Sequence, residues 1–123
     1  MTRDTACRFT EEWIEAWNAL DVERVVGHFA DDAVFTSPKA LETVGTATVR
    51  GKAALRDYWT KRAATIRSLR FTLDRLAFDP GARELTIVYE AAIDGRRIRA
   101  CELLRFGEDG RAVSGEAMYG APL

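Results

Sequence analysis

Apolar residues recur at helical intervals near the start of the chain. Over residues 5–19, Phe9, Trp13, Ala16, Trp17 and Leu20 share one face, with Glu11, Glu12 and Glu15 opposite. Steps of three and four residues lay one apolar stripe along a 3.6-residue turn, so the spacing predicts an amphipathic helix. Asn18-Ala19-Leu20-Asp21 breaks it, and Asp21 is placed to N-cap a second helix with Val22, Val25, Val26 and Phe29 as its apolar face. Asp31-Asp32 ends that helix. Ala33 to Ser37 reads as a short strand closed by Pro38, and residues 39–50 as a loop with a weak strand from Val44 to Val49. Gly51 opens a third helix, Lys52 to about Ser68, in which Leu55, Tyr58, Trp59, Arg62, Ile66 and Leu69 recur at helical spacing.

The rest of the chain alternates. Strands are expected from Phe71 to Phe78, Glu84 to Ile93, Arg96 to Phe106 and Ala112 to Tyr119. Turns at Asp79-Pro80-Gly81, Asp94-Gly95 and Gly107 to Gly110 separate them. Three helices followed by a four-stranded antiparallel meander is the α+β order, in which helices cover one face of a sheet.

The Asp94-Gly95 turn sets a register. Pairing outward places Ile93 opposite Arg96, Ala91 opposite Ile98, Tyr89 opposite Ala100 and Ile87 opposite Glu102. One face then holds Ile87, Tyr89, Ala91, Ile98, Ala100, Glu102, Leu104 and Phe106. This is the core face, and Glu102 is its one charged residue. A carboxylate facing a core must be protonated, hydrogen-bonded or beside a wet pocket, unless a bulge turns it outward. A pocket is the functional form of that arrangement, and a structural hydrogen bond the plain one. The other face mixes Val88, Ala92, Cys101 and Leu103 with charges, and Glu90 stands opposite Arg99 as a cross-strand ion pair. It suits either a solvated sheet face or the interface of a homodimer, which is favoured.

Composition narrows the function. A chain of 123 residues is one domain, 1–123, and is long enough to bury a core without a disulfide or metal. A net charge of −1 argues against a nucleic-acid partner. The chain has no apolar run of membrane-span length, so no membrane association is expected. The charged start lacks the apolar core of a signal peptide, which points to a cytoplasmic protein with Cys7 and Cys101 as free thiols. One histidine and two distant cysteines make no zinc pattern. The stretch from Gly45 to Lys52 is one residue too long for a phosphate loop, and Ala53 replaces the residue that would meet magnesium. No serine nucleophile elbow is present. No cofactor is implied.

Several runs together resemble a known family. Trp13-Ile14-Glu15-Ala16-Trp17-Asn18-Ala19-Leu20-Asp21, His28-Phe29-Ala30-Asp31-Asp32-Ala33-Val34-Phe35 and Ser37-Pro38 are similar to the nuclear transport factor 2-like superfamily. Within it they resemble the ketosteroid isomerase and SnoaL-like polyketide cyclase branch. Val49-Arg50-Gly51-Lys52 through Tyr58-Trp59 and the ending Val113 to Gly120 extend the likeness over nearly the whole chain. The resemblance implies a cystatin-like cone: helices packed on a curved antiparallel sheet around a deep apolar cavity. It also implies a homodimer through the outer sheet face. In the isomerase branch the general base is an aspartate where this chain has Ser37. Two tyrosines of the oxyanion hole correspond to Trp13 and Trp59, and the acid completing the hole corresponds to Glu102. Serine is a poor base without a partner, and tryptophan only donates, so steroid isomerase chemistry is not expected.

Glu102 is thus reached both by alternation and by resemblance, and it is the candidate catalytic acid or base. Burial raises the pKa of such a group, while indole N–H groups of Trp13 or Trp59 would oppose the rise. Trp13, Trp17, Phe35, Ser37, Tyr58, Trp59, Tyr89, Ala100 and Tyr119 are the candidate ligand-binding residues around it. Their aromatic character fits a small apolar or aromatic ligand. His28 reads either as a partner for Glu102 or as an ordinary histidine at a helix end. Arg62 and Tyr58 are further candidates to hold an anionic or hydroxyl group. Three functions fit these features: an isomerase, cyclase or hydratase working through Glu102; a non-catalytic binding protein; or an interaction module whose own side chains fill the cavity.

Overall fold

A computed structural model describes residues 1–123. Helix α1 spans Arg3–Asn18 and starts at a reciprocal capping box between Thr2 and Thr5. Its buried stripe is Ala6, Phe9, Thr10, Trp13, Ala16 and Trp17. Leu20 does not continue that stripe, because it takes a left-handed φ of 51° in the turn that follows. Asp21 caps α2 by accepting from the Arg24 N–H at 3.2 Å, as expected. However, α2 covers only Val22–Val26 and stops at Gly27. Strand β1, Phe29–Thr36, therefore absorbs Phe29 and both aspartates, with Phe29, Ala33 and Phe35 buried and Asp31 and Asp32 exposed.

The segment expected to be a loop contains a fourth helix. Helix α3 spans Pro38–Val44, with Ser37 as N-cap, proline in its first turn and Gly45 closing it at a φ of 82°. Strand β2, Thr48–Arg50, pairs antiparallel with β1. Helix α4 spans Lys52–Ala64 and ends four residues before the expected limit. The Asp94 carboxylate explains that early end. It accepts from the N–H groups of Arg67 and Ser68 at 2.8 and 2.9 Å, turning the chain into strand β3, Leu69–Asp79.

Strands β4 (Glu84–Ile93), β5 (Arg96–Phe106) and β6 (Ala112–Pro122) complete a curved, unclosed six-stranded sheet in the order β2-β1-β6-β5-β4-β3. The expected meander is present, but it is two-thirds of a larger sheet. β1 joins it parallel to β6, pairing Phe35 with Gly115. The hairpin register is the one read from the turn, with Ile93 opposite Arg96 and Ile87 opposite Glu102. On the outer face Glu90 does stand opposite Arg99, yet its ion pair is with Arg97, the diagonal neighbour. Arg99 instead reaches Asp74 at 2.6 Å, beside an irregularity in the β3–β4 register. Both cysteines are free, and no helix is long and apolar enough to cross a membrane.

The core lies between the helices and the inner sheet face. Its centre is a chain of edge-to-face aromatic contacts: Phe29 with Phe35, both with Trp59, and Trp59 with Trp17. Gly115 makes room for it. A Cβ there would meet the Phe35 ring at 2.8 Å and the Leu104 side chain at 2.9 Å. Gly115→Ala is therefore expected to destabilise the protein by about 1–3 kcal/mol, the usual range for overpacking, in urea unfolding followed by tryptophan fluorescence.

Candidate functional site

A cavity of about 50 Å³ lies between the helices and the concave sheet face. That is room for a few waters, or for one end of a small molecule. Nearly every element contributes to it. Trp13 and Trp17 come from α1, Phe35 and Ser37 from the end of β1, and Lys39 from α3. Tyr58, Trp59 and Arg62 come from α4, Phe71 from β3, Tyr89 and Ile93 from β4, Glu102 from β5, and Ala117 and Tyr119 from β6. The floor is fully buried and the mouth, with Lys39, Arg62, Ile66, Leu69, Phe71, Ile93 and Tyr119, is half-buried.

Glu102 is at the floor and only 4% exposed. The Tyr89 hydroxyl donates to its Oε1 at 3.0 Å. The two residues are diagonal neighbours on one sheet face, since Tyr89 pairs with Ala100 and Glu102 with Ile87. Its Oε2 takes no hydrogen bond from the protein. Burial pushes the Glu102 carboxyl up to about 8, and the Tyr89 hydrogen bond opposes the rise. The indole groups of Trp13 and Trp59, expected to supply that opposition, do not reach Glu102. Trp13 instead packs edge-on against Tyr89 at 5.3 Å, and Trp59 against Phe29 and Phe35. Burial also raises Tyr58, Tyr89 and Tyr119, so all three phenols are neutral at neutral pH. The Ser37 hydroxyl accepts from the Lys39 N–H at 3.1 Å, and its own hydrogen bonding opposes the rise at Tyr58 and Tyr119. The cavity thus presents a protonated carboxyl and a set of hydroxyls inside an aromatic wall.

Of the residues predicted for the site, Glu102, Trp13, Trp17, Phe35, Ser37, Tyr58, Trp59, Tyr89 and Tyr119 all line the cavity. Ala100 does not. It is buried, but its methyl lies between its strand partners Tyr89 and Tyr119 and is too short to reach past them. His28 is not a partner of Glu102 either. It stacks edge-on with Phe9 at 5.0 Å and borders a separate groove with Glu12 and Arg8. Phe71 and Lys39 also line the cavity and carry no local signal for it in the sequence. Phe71 was recognisable only as a strand residue; it is seated by Asn18, whose Oδ1 accepts from the Phe71 N–H at 2.7 Å while its Nδ2 donates to the Phe71 carbonyl at 3.2 Å. Lys39 depends on α3, a helix too short to show a period in the sequence.

The burial of Glu102 makes stability depend on pH. Below about 4.5, its ordinary value, native and unfolded chains both hold the proton. From there to about 8 the unfolded chain has released it and the native protein retains it. Wild type should then lose about 1.4 kcal/mol per pH unit relative to Glu102→Gln, and the loss should level off above the folded value. Other titrations, His28 included, are common to both proteins and cancel in this comparison. Paired thermal melts across pH 4–9 check it; parallel curves would show a solvated carboxyl. Tyr89→Phe removes the one hydrogen bond that favours the carboxylate. It should therefore move the Glu102 titration to still higher pH, read by NMR of the carboxyl carbon.

The family model for the SnoaL-like domain matches residues 10–115. A SnoaL-like protein of unknown function from Burkholderia thailandensis is 32% identical, with 98% of this chain and 99% of that one covered at a TM-score of 0.85. The epoxide hydrolase/cyclase-like enzyme SalBIII, of pyran ring formation in the polyether salinomycin, is 18% identical at a TM-score of 0.76, covering 95% of this chain and 92% of that one. The BvnE pinacolase from Penicillium brevicompactum is 16% identical at a TM-score of 0.78, covering 97% and 88%. At those identities the two enzymes share the fold alone. No curated protein matches the chain. The match over most of the chain, the cone around an apolar cavity and the 32% identical relative together show that this chain belongs to the SnoaL-like domain family of the nuclear transport factor 2-like superfamily.

Proposed function

We propose that this SnoaL-like protein is an acid–base enzyme, an isomerase, cyclase or hydratase, acting on a small, mostly apolar molecule through Glu102. The observation that carries this reading is a buried carboxyl, neutral at neutral pH, whose single protein partner is the Tyr89 hydroxyl and which borders the cavity. A neutral carboxyl with a free oxygen donates a proton to a ligand oxygen. The carboxylate so formed takes a proton back from another position on the ligand, and Tyr89 holds the charge between the two steps. An isomerisation or cyclisation by this route needs no outside reagent, whereas a hydration also takes up one water. Trp13, Trp17, Phe35 and Trp59 exclude water and favour a flat apolar body, while Ser37, Tyr58 and Tyr119 supply donors for a second oxygen. That the same fold serves a pinacolase and an epoxide hydrolase/cyclase-like enzyme supports reading the cavity as a reaction chamber. We place the activity in the cytoplasm, where the free thiols of Cys7 and Cys101 stay reduced.

The test is turnover of a panel of small enones, epoxides and vicinal diols, followed by chromatography of products. Glu102→Gln is expected to lower the rate by about a hundredfold or more, the range for removing a general acid or base. The wild-type rate should fall as pH rises past the Glu102 titration near 8. Undiminished turnover by Glu102→Gln would reject the acid–base role. Binding without turnover by either protein would favour the reading of a non-catalytic carrier.

A further inference from the structure

The mouth of the cavity carries two cations that the acid–base reading does not use. Lys39 enters from the first turn of α3 and Arg62 from the last turn of α4, and both line the cavity. Both are half-buried. Neither has a carboxylate within ion-pair distance, whereas Arg24, Arg56, Lys61, Arg97 and Arg99 each have one. Glu42, one turn beyond Lys39, makes no ion pair with it. The Lys39 ammonium is instead 5.1 Å from the centre of the Tyr119 ring, which returns part of what a counter-ion would supply. Two like charges at an apolar opening repel each other and resist desolvation, so an anion placed between them relieves both penalties. Consistently, burial and the charges of Arg62 and Arg96 push the Lys39 ammonium below its ordinary value, against the weaker pull of Glu42.

Burial also separates the polar groups of the cavity. Tyr58 is buried and Tyr119 is half-buried at the mouth, and both line the same cavity as Arg62 and Glu102. Positive charge thus marks the half-buried mouth and a neutral carboxyl the buried floor. The volume of about 50 Å³ admits one end of a small molecule toward Glu102, with its other end at the half-buried mouth.

We propose that the ligand is a small organic carboxylate, held at its charged end by Lys39 and Arg62, with a carbonyl or hydroxyl oxygen at its other end directed to Glu102. This rests on the reading of the cavity as a ligand site and adds the substrate class. A carboxylate matches the planar fork of the arginine and the single charge of the ammonium. The apolar part lies along Ile66, Leu69 and Phe71.

The probes are laevulinate and para-acetylbenzoate, each against its neutral amide, with binding followed by quenching of the cavity tryptophans Trp13, Trp17 and Trp59. Wild type should bind at least one acid about tenfold more tightly than its amide, with the preference shrinking as salt is raised. In the double variant Lys39→Met, Arg62→Leu the acid should fall to the affinity of the amide. Retained amide binding there shows that the cavity is intact. Glu102→Gln should keep the preference for the acid. Equal binding of acid and amide by wild type, or a preference that survives the double variant, would overturn the carboxylate assignment while leaving the cavity as a site. Tighter binding of para-acetylphenylphosphonate than of the benzoate would overturn it in favour of a phosphoryl group. Failure of every probe to bind up to millimolar concentration would overturn both this inference and the cavity reading. Loss of turnover in Glu102→Gln speaks to the acid–base reading alone.

Discussion

The turn Asp94-Gly95 is the constraint on which the site depends. Side chains of a strand alternate between faces, so a slip of one residue in the β4–β5 pairing would put Glu102 and Tyr89 on opposite faces, turning Cys101 inward beside Tyr89. A two-residue turn with both residues at positive φ leaves no slack for such a slip. Asp94, at a φ of 50°, is strained less than most residues would be there, because its short polar side chain is used locally. That side chain accepts from two backbone N–H groups at the start of β3, and those bonds hold its carboxyl below the usual range. One exposed residue thus aligns β4 with β5 and anchors the chain that leads from α4 into β3.

Glu102 in turn sets a demand on everything around it. A carboxyl placed among aromatic rings loses its hydration, and the single bond from Tyr89 replaces only part of it. The protein meets the remainder by keeping the proton. The surrounding residues must then be rigid enough to keep water from solvating the charge. The aromatic contacts do this. Phe71 touches Trp13, Trp17 and Tyr89, which ties the first helix to the sheet directly over the hydrogen bond. The phenol and carboxyl are consequently a property of the cone as a whole rather than of two neighbouring strands.

The parts of this arrangement that could be read from the sequence were those governed by periodicity. Alternation about a two-residue turn is rigid, and it located Tyr89 opposite Ala100 and Glu102 opposite Ile87 with no error. The stripe of Phe9, Trp13, Ala16 and Trp17 was legible for the same reason. What escaped was set by short signals or by distant partners. Helix α3 is two turns long and too brief to show a period, although Ser37, Pro38 and Gly45 are a cap, a first-turn proline and a stop. The parallel pairing of β1 with β6 joins segments far apart in the chain, and nothing local marks it. The resemblance to the isomerase branch points to a donor for Glu102 on the helices, at Trp13 or Trp59. Here it lies on the adjacent strand, at a position that alternation had already put on the same face.

Asn18 carries one more consequence. β3 is one of the two edge strands of the sheet, and an edge strand presents backbone groups on which another strand can assemble. The Asn18 amide occupies both the N–H and the carbonyl of Phe71 on that side, as a neighbouring strand would. A side chain at the end of a helix therefore stands in for a missing strand. It covers the edge at Phe71, the β3 residue whose ring lines the cavity, so another strand cannot pair with the sheet there without displacing the Asn18 amide.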